Sequence, residues 1–237
     1  MGPLLSGRLI NNTQGKEENF YIFRLDLSHL DQLDKLQKVV LDNMERKDHY
    51  TGLLVEEFEN VLSVGGVTVG VFVEEELVGF YSILFPGHSE DNLGRDIGIP
   101  EKYFPDVAHL EAAGVHPDYR GNSLQKIMTS ICLEQAMKIK QIKYLCVTIS
   151  PYNYPSLDHM FAFKLYIRDL KVKYGDMLRY ICSKDMEEKQ IIKADSIVEV
   201  EISGHSEQLK LLQQGYVGFR LIKSEGKNFI VFGLSID

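Results

Sequence analysis

One short segment of the chain has the residue types of an anion-binding loop. It reads His-Pro-Asp-Tyr-Arg-Gly-Asn-Ser-Leu over residues 116–124, between a predicted strand and a predicted amphipathic helix. Small residues at such a junction let backbone N–H groups converge on one point, and the helix N-terminus adds the positive end of its dipole. Arg120 adds a fixed positive charge. The segment predicts a phosphate site or, as the alternative, only a helix N-terminus capped by Asn122 or Ser123.

A single charged residue lies in the apolar strand before this loop. The strand is predicted over 107–115, and alternation places Glu111, Ala113 and Val115 on one face if no bulge intervenes. A carboxylate inside an apolar strand is costly unless it is solvated or paired. We therefore interpret Glu111 as facing a cleft, with a structural or edge-exposed glutamate as the alternative.

The elements that must position these residues follow a mixed pattern of strands and helices. Helical spacing after the loop, from Leu124 to Ile131, predicts a helix over roughly 123–141. Further strands are predicted at 19–27, 66–73, 77–85, 144–149, 171–174, 177–183, 197–202, 216–222 and 229–235. Three further helices are predicted. One begins after a cap at Ser28 or Asp31, one runs from about Ser156 to Ile167, and a short one ends at a left-handed cap at Gly215.

The remaining segments suggest how the chain is organised. The polar, turn-rich residues 1–18 are interpreted as a tail, and residues 19–183 as one domain. The acidic turn at Glu74, Glu75 and Glu76 is expected to be solvated, and the long loop at 86–106 to be functional or mobile. Residues 184–237 are interpreted as a small α/β extension packed on or beside the domain.

Composition excludes several classes of protein. The 237 residues carry 26 Lys and Arg against 34 Asp and Glu, which gives a formal net charge of −8. Such an acidic chain is a poor candidate for binding nucleic acid through a phosphate-neutralising surface. No run of eighteen apolar residues occurs, so we expect no membrane-spanning helix and no membrane partner. A homodimer is compatible with the sequence.

The cysteines and the N-terminus predict a cytoplasmic location. Cys132, Cys146 and Cys182 fit neither a zinc site nor a disulfide framework, which indicates a reducing compartment. The first residues lack the pattern of a secretory signal. Gly2 and Ser6 match a loose myristoylation pattern, for which a frayed end is the alternative interpretation.

The loop and its strand resemble the GNAT acetyltransferase superfamily. In that family a strand ending in Val-x-Pro-x-Tyr-Arg-Gly leads into the pyrophosphate loop for acetyl-CoA, and this chain reads GVHPDYRGNSLQKIM. The family loop has Gln or Arg, two residues, Gly, one residue, then Gly or Ala. Arg120 matches this pattern, whereas Ser123 and Gln125 stand at the glycine positions. The resemblance covers about residues 19–183.

The resemblance implies a fold, an activity and a set of site residues. The fold is α+β, with a central, mostly antiparallel twisted sheet flanked by helices. The activity is acetyl transfer from acetyl-CoA to an amine, with Glu111 at the position of the general base. The residues implied to bind the co-substrate are Ala113, Gly114, Val115, Arg120, Gly121, Asn122, Ser123, Leu124, Gln125, Asn153 and Ser156.

The proton donor to the leaving thiolate departs from the family pattern. The family uses a tyrosine in its fourth helix, seven residues after the Asn that corresponds to Asn153. This chain has Met160 at that position. Tyr166 is expected on the same helix and is taken as the candidate donor, with core packing as the alternative. Tyr152, Tyr154 or water are other candidates for this proton.

Other residue types add no second chemistry. His109 and His116 lie near the two ends of the strand predicted over 107–115. They are expected to be surface or hydrogen-bonded residues. No cluster has metal-ligand spacing, and no G-x-S-x-G elbow occurs. The leading hypothesis is an N-acetyltransferase for a small-molecule amine. The alternatives are a CoA-binding regulatory module and a protein N-acetyltransferase.

Overall fold

The computed structural model describes residues 2–44, 46 and 52–236. The chain forms two compact units. The first comprises Met1–Phe85 with Leu110–Gln141, and the second Pro86–His109 with Ile142–Asp237. The domain limits expected from the sequence, at 19–183 and 184–237, stay a proposal.

The described residues of the first unit form five strands and three α-helices. These are β1 (Leu5–Asn11), β2 (Lys16–Arg24), α1 (Leu30–Asp42), α2 (Val55–Asn60), β3 (Gly66–Val73), β4 (Glu76–Leu84), the later part of β5 (Val107–Val115) and α3 (Leu124–Ile139). The strands follow one another in chain order across the sheet. The β1–β2, β2–β3 and β3–β4 pairs are antiparallel.

The second unit begins with the first three residues of β5. Its other elements are β6 (Tyr144–Ile149), α4 (Tyr154–Ala162), β7 (Tyr166–Lys173), β8 (Met177–Asp185), β9 (Ile191–Ile192), β10 (Val198–Glu201), α5 (His205–Gln213), β11 (Tyr216–Ser224) and β12 (Lys227–Ile236). The strand order is β5-β6-β8-β7-β11-β12-β10, with β9 paired to β12. The β5–β6 pair is parallel, whereas β6–β8, β7–β8, β7–β11 and β11–β12 are antiparallel.

The expected fold class is confirmed: the protein is a mixed α+β structure with a mostly antiparallel sheet flanked by helices. In the first unit, the apolar stripe of α1 supplies Leu33, Leu36 and Val40 to a core that also contains Phe58 and Phe80. Burying such side chains stabilises the fold by about 1.5–3 kcal/mol each. Within the described ranges, no helix is both long and apolar enough to cross a membrane.

The N-terminal segment differs from the expected tail. Residues 5–11 form β1, which pairs with β2 from Leu5↔Ile22 to Asn11↔Lys16. The strand forms because β2 supplies backbone partners along its whole length, although most of its side chains are exposed. The Glu74–Glu76 turn is fully exposed, as expected.

The helix expected up to Ile167 ends earlier, at Ala162. Lys164 adopts a left-handed φ of +62°. The Leu165 N–H donates to the Met160 carbonyl at 3.0 Å, and the Lys164 N–H donates to the Phe161 carbonyl at 2.9 Å. This pair of bonds is a Schellman motif, which ends the helix without a glycine.

The C-terminal segment packs within the second unit. Its strand β11 pairs with β7 at Gly218↔Ile167. Val217, Ile230, Val231 and Phe232 are buried. The expected left-handed cap at Gly215 is confirmed by a φ of +85° at the end of α5.

Candidate functional site

The loop after β5 in the first unit turns sharply before it enters α3. A 3-10 turn covers Pro117–Tyr119, and the His116 Nδ1 accepts a hydrogen bond from the Asp118 N–H at 3.3 Å. Gly121 and Ser123 then have left-handed φ values of +82° and +59°. A Cβ added to Gly121 has no neighbour within 4 Å among the described atoms, so the space beside this residue is open.

The N-terminus of α3 lacks the capping that was the alternative explanation of this loop. Among the described residues, Ser123 precedes the helix without making a side-chain cap hydrogen bond. The Asn122 side chain is bonded to the backbone of Ile10. The first N–H groups of an α-helix have no carbonyl partner within it. The first N–H groups of the 16-residue α3 are therefore suited to donate hydrogen bonds to an anion.

Arg120 is exposed in the loop that follows β5. Its Nε donates to the Val115 carbonyl at 3.4 Å. This bond places a guanidinium beside the loop, where it adds positive charge to the partial charges of the helix N-terminus.

The residues of β5 alternate in burial as the sequence predicted. Glu111, Ala113 and Val115 are half-buried, whereas Leu110, Ala112 and Gly114 are buried. The two sets occupy opposite faces of the strand. A Cβ on Gly114 would lie 2.6 Å from the Phe80 ring, so this position has no room for a side chain.

Asn153 and Ser156 lie in the second unit, at the start of α4. The Asn153 Oδ1 accepts a hydrogen bond from the Ser156 backbone N–H at 3.3 Å, so Asn153 is the helix N-cap. Pro155 in the first turn agrees with this start. The structure thus gives this pair a local structural role, whereas contact of either residue with a co-substrate stays a prediction.

The expected position of Tyr166 on the helix with Asn153 is wrong. Tyr166 is the first residue of β7, because the Schellman motif ends α4 before it is reached. Its ring packs edge-on to Phe219, with centroids 6.2 Å apart. Met160, at the family's tyrosine position, is buried in the helix. The contact with Phe219 favours core packing, the alternative interpretation of Tyr166.

His109, within β5, and His116, directly after it, are both hydrogen-bonded, as expected. The His116 Nδ1 accepts from the Asp118 N–H. The buried His109 accepts a hydrogen bond from the Leu93 N–H at 3.1 Å through its Nε2. This bond ties the long loop at 86–106 to β5 within the second unit.

Sequence reasoning missed the residues that contact the loop from the N-terminal hairpin. Asn11 ends β1 and Asn12 begins the β1–β2 turn, and the two residues bond to Tyr119, Asp118 and Arg120. The available signal was the polar Asn-Asn-Thr-Gln-Gly run between two partly apolar segments, which is typical of a hairpin. In the described part of the chain, no group of His, Cys, Asp and Glu side chains has an arrangement that could hold a metal ion.

A comparison with known protein families identifies the family of this chain. The sequence model of the acetyltransferase (GNAT) family matches residues 30–159, which is more than half of the chain and includes β5, the loop and α3. The protein therefore belongs to the GNAT acetyltransferase family, and acetyl-CoA is its co-substrate. A comparison with curated protein sequences gave no significant match.

Solved structures of other acetyltransferases share the fold. Arabidopsis thaliana NAA60 in complex with acetyl-CoA is 14% identical with a TM-score of 0.55, over 71% of this chain and 99% of that one. The ribosomal-protein-S18-alanine N-acetyltransferase of Escherichia coli is 11% identical with a TM-score of 0.53, over 72% and 96%. An N-acetyltransferase of Staphylococcus aureus Mu50 is 15% identical with a TM-score of 0.53, over 71% and 99%.

Proposed function

We propose that this protein transfers the acetyl group of acetyl-CoA to a primary amine of a small molecule by direct attack on the thioester. The observation that carries the proposal is the uncapped N-terminus of α3, preceded by left-handed Gly121 and Ser123 and flanked by Arg120. Direct attack means that no acetylated side chain is formed on the way.

The diphosphate of the co-substrate is assigned to the loop. Backbone N–H groups over 121–125 supply donors, and Arg120 supplies charge. Ser123 holds the left-handed conformation that a glycine adopts most easily, so its small side chain preserves the backbone path. Gln125 replaces the second family glycine and is half-buried in the first turn of α3. Leu124 is buried and anchors that turn.

The acetylated pantetheine arm is assigned to backbone and small side chains. Ala113, Gly114 and Val115 of the first unit supply strand backbone to it. A backbone N–H near Val115 stabilises negative charge on the thioester oxygen, as preorganised donors do in acyl transfer.

Glu111 is assigned the role of general base. Acetyl-CoA supplies an activated acyl group, and its transfer forms a C–N bond, breaks a C–S bond, removes one proton from the amine and requires one at sulfur. Glu111 is half-buried on the same strand face as Val115, which supports its accepting the amine proton. Water is assigned as the proton donor to sulfur.

The acceptor is proposed to be cationic when protonated. The first unit carries exposed carboxylates on α2, at Glu56, Glu57 and Glu59, while Phe58 on the same helix is buried. Exposed carboxylates raise the local concentration of cations, an effect that salt weakens. A protein amine is the alternative acceptor.

Calorimetry with acetyl-CoA tests the co-substrate site. We expect binding by the wild type and a loss of about tenfold in affinity for Arg120→Ala, because a charged contact to phosphate is lost. Arg8→Ala, which removes an exposed arginine elsewhere in the first unit, is the control. Absence of binding by the wild type would contradict the proposed function.

Mass spectrometry of reaction mixtures then tests the acceptor. The protein is incubated with acetyl-CoA and small polyamines, aminosugars or short peptides, and the masses of the products are measured. Transfer to small amines supports the proposal, and transfer to peptides alone selects the protein acceptor. Binding without transfer to either class indicates the regulatory module.

A further inference from the structure

The turn of the β1–β2 hairpin is organised by one buried side chain. Asn11 is only 4% exposed, and its Oδ1 accepts hydrogen bonds from the N–H groups of Thr13 and Gln14, both at 3.1 Å. Its Nδ2 donates to the Tyr119 hydroxyl at 3.2 Å. Asn11 therefore fixes the turn and joins it to the loop after β5.

Tyr119 is held between the two strands of this hairpin. Its hydroxyl accepts from Asn11 on one strand and donates to the Glu18 carboxylate on the other, at 3.1 Å. Burial, followed by the hydrogen bond to Glu18, raises the pKa of Tyr119. The phenol consequently stays protonated and keeps donating to Glu18 at neutral pH.

Two further turn residues, Asn12 and Thr13, bond directly to the loop: Asn12 to its backbone, and Thr13 to the side chain of Asp118. The Asn12 N–H donates to the Asp118 carbonyl at 2.7 Å, and its Nδ2 donates to the Arg120 carbonyl, also at 2.7 Å. The Thr13 hydroxyl donates to the Asp118 carboxylate at 2.6 Å. The carbonyls on both sides of Tyr119 are thus fixed by a segment more than a hundred residues away in sequence.

Asn122 completes the connection from the loop side. Its Oδ1 accepts from the Ile10 N–H and its Nδ2 donates to the Ile10 carbonyl, both at 2.8 Å. The Nδ2 also donates to the Tyr119 carbonyl at 3.0 Å. The amide of Asn122 pairs with β1 as a neighbouring strand would, so this side chain positions the loop rather than pointing at an anion.

We infer that the β1–β2 hairpin is a positioning element for co-substrate binding, which fixes the loop at 117–122 through Asn11, Asn12 and Asn122. The inference rests on the proposed function of the loop. Ser123 holds a left-handed backbone that non-glycine residues of a free chain adopt rarely, and Gly121 is free to adopt many conformations, so a loop without external bonds would sample other conformations. Fixing the loop in advance removes that ordering cost from binding.

Calorimetry of hairpin variants tests the inference. Asn12→Ala removes an exposed side chain that has no proposed contact with the co-substrate, and we expect the Kd for acetyl-CoA to rise about three- to tenfold. The Kd for 3′-phospho-ADP, which carries the diphosphate without the pantetheine arm, is expected to rise by the same factor. Asn11→Ala is expected to have a larger effect, provided that its thermal unfolding shows a folded protein.

Arg8→Ala is the matched control on the same hairpin. Arg8 pairs with Glu17 at 3.0 Å, and both side chains are exposed. Its removal is expected to leave both Kd values unchanged. Wild-type binding with equal Kd values for Asn12→Ala and Arg8→Ala overturns the inference and leaves the proposed function intact. A wild type that does not bind acetyl-CoA overturns both.

Hydrogen exchange provides a second test. It compares amides within the same hairpin, so a change in the overall stability of the protein does not produce the expected difference. Binding that depends on the hairpin must in turn stabilise the hairpin–loop contacts, because coupling between two sites is reciprocal. We expect acetyl-CoA to slow exchange of the Asn12 amide, which donates to Asp118, by more than that of amides elsewhere in β1 and β2. Equal slowing throughout the two strands, or none, contradicts the inference.

Discussion

The hydroxyl of Tyr180 donates a hydrogen bond of 2.6 Å to the side-chain oxygen of Gln208, and both residues are completely buried. Gln208 also donates through its Nε2 to the carbonyls of Glu201 and Ile202, at 2.9 and 3.0 Å. One glutamine of α5 therefore links β8 to the end of β10 within the second unit. The Glu201 carbonyl also accepts from the Gly204 N–H at 2.8 Å, so the Tyr180 hydroxyl and the Ile202 carbonyl depend more on Gln208 than the Glu201 carbonyl does.

Replacing this glutamine is expected to destabilise the protein strongly. Gln208→Ala removes the hydrogen bonds to the buried Tyr180 hydroxyl and to the Ile202 carbonyl, and we expect the free energy of unfolding to fall by about 2–4 kcal/mol. Urea unfolding measures the change. In a Tyr180→Phe background the same substitution is expected to cost less, because the hydroxyl is already absent. Strictly additive losses would contradict a direct interaction.

Acid is expected to remove a stabilising contribution from Asp96. Its carboxylate lies 2.7 Å from the Lys173 Nζ and 3.2 Å from the Lys171 Nζ. Burial alone would raise the pKa of Asp96, but the hydrogen bonds from Lys173 and Lys171 outweigh it, so the pKa is lowered. The contribution is therefore fully present above the unfolded value of about 3.9 and is lost as pH falls through the lower folded value.

Urea midpoints of Asp96→Asn and wild type, measured from pH 7 down to pH 2.5, test this expectation. At pH 7 the variant is expected to be less stable by about 1–3 kcal/mol, since hydrogen bonds to a charged group are lost. The difference is expected to shrink below about pH 4. Asp195→Asn removes an exposed partner of Lys193 and is the control, with little change expected. A difference that stays constant with pH would contradict the role of charge.

Much of the central fold was predictable because its signals are local. The bounds of β3, β5 and β6 agree with the sequence expectations, at Gly66–Val73, Val107–Val115 and Tyr144–Ile149. β3 and β6 are short apolar runs with β-branched and aromatic residues, whereas β5 is a mostly apolar run that ends at the Pro117 turn. The loop could likewise be proposed as an anion site from the sequence, because the proposal depends on residues that are adjacent in the chain.

The errors lie where distant residues decide the structure. The hairpin turn at Asn11 and Asn12 is fixed by Tyr119, Asp118 and Arg120, about a hundred positions away, and no local pattern encodes those partners. The predicted helix ran past Ala162 because its apolar spacing continues. The stop at Lys164 uses a left-handed non-glycine residue, which a search for glycine caps misses.

The three cysteines are expected to be unreactive in the folded protein. Cys132, Cys146 and Cys182 are each fully buried. Burial raises the pKa of all three thiols, that of Cys146 to about 12, so little thiolate is present at neutral pH. We expect no labelling by a disulfide reagent at pH 8 and complete labelling in urea. Rapid labelling of the native protein, with loss of acetyl transfer, would contradict the direct-attack mechanism.

Glu111→Gln is expected to separate catalysis from co-substrate binding. The substitution keeps the size of the side chain on the half-buried face of β5 but removes the carboxylate that is proposed to accept the amine proton. Loss of a general base lowers kcat by about 10²–10⁴-fold. The Kd for acetyl-CoA is expected to stay unchanged, because the loop and Arg120 are intact.

Steady-state rates and calorimetry on the same preparations measure the two quantities. Glu75→Gln, in the exposed turn between β3 and β4, is the matched control and is expected to keep both. Raising the pH is expected to restore part of the Glu111→Gln rate, since a larger fraction of the amine is then already deprotonated in solution. A variant with wild-type kcat would exclude Glu111 as the base and leave water, acting without a carboxylate, to remove the proton.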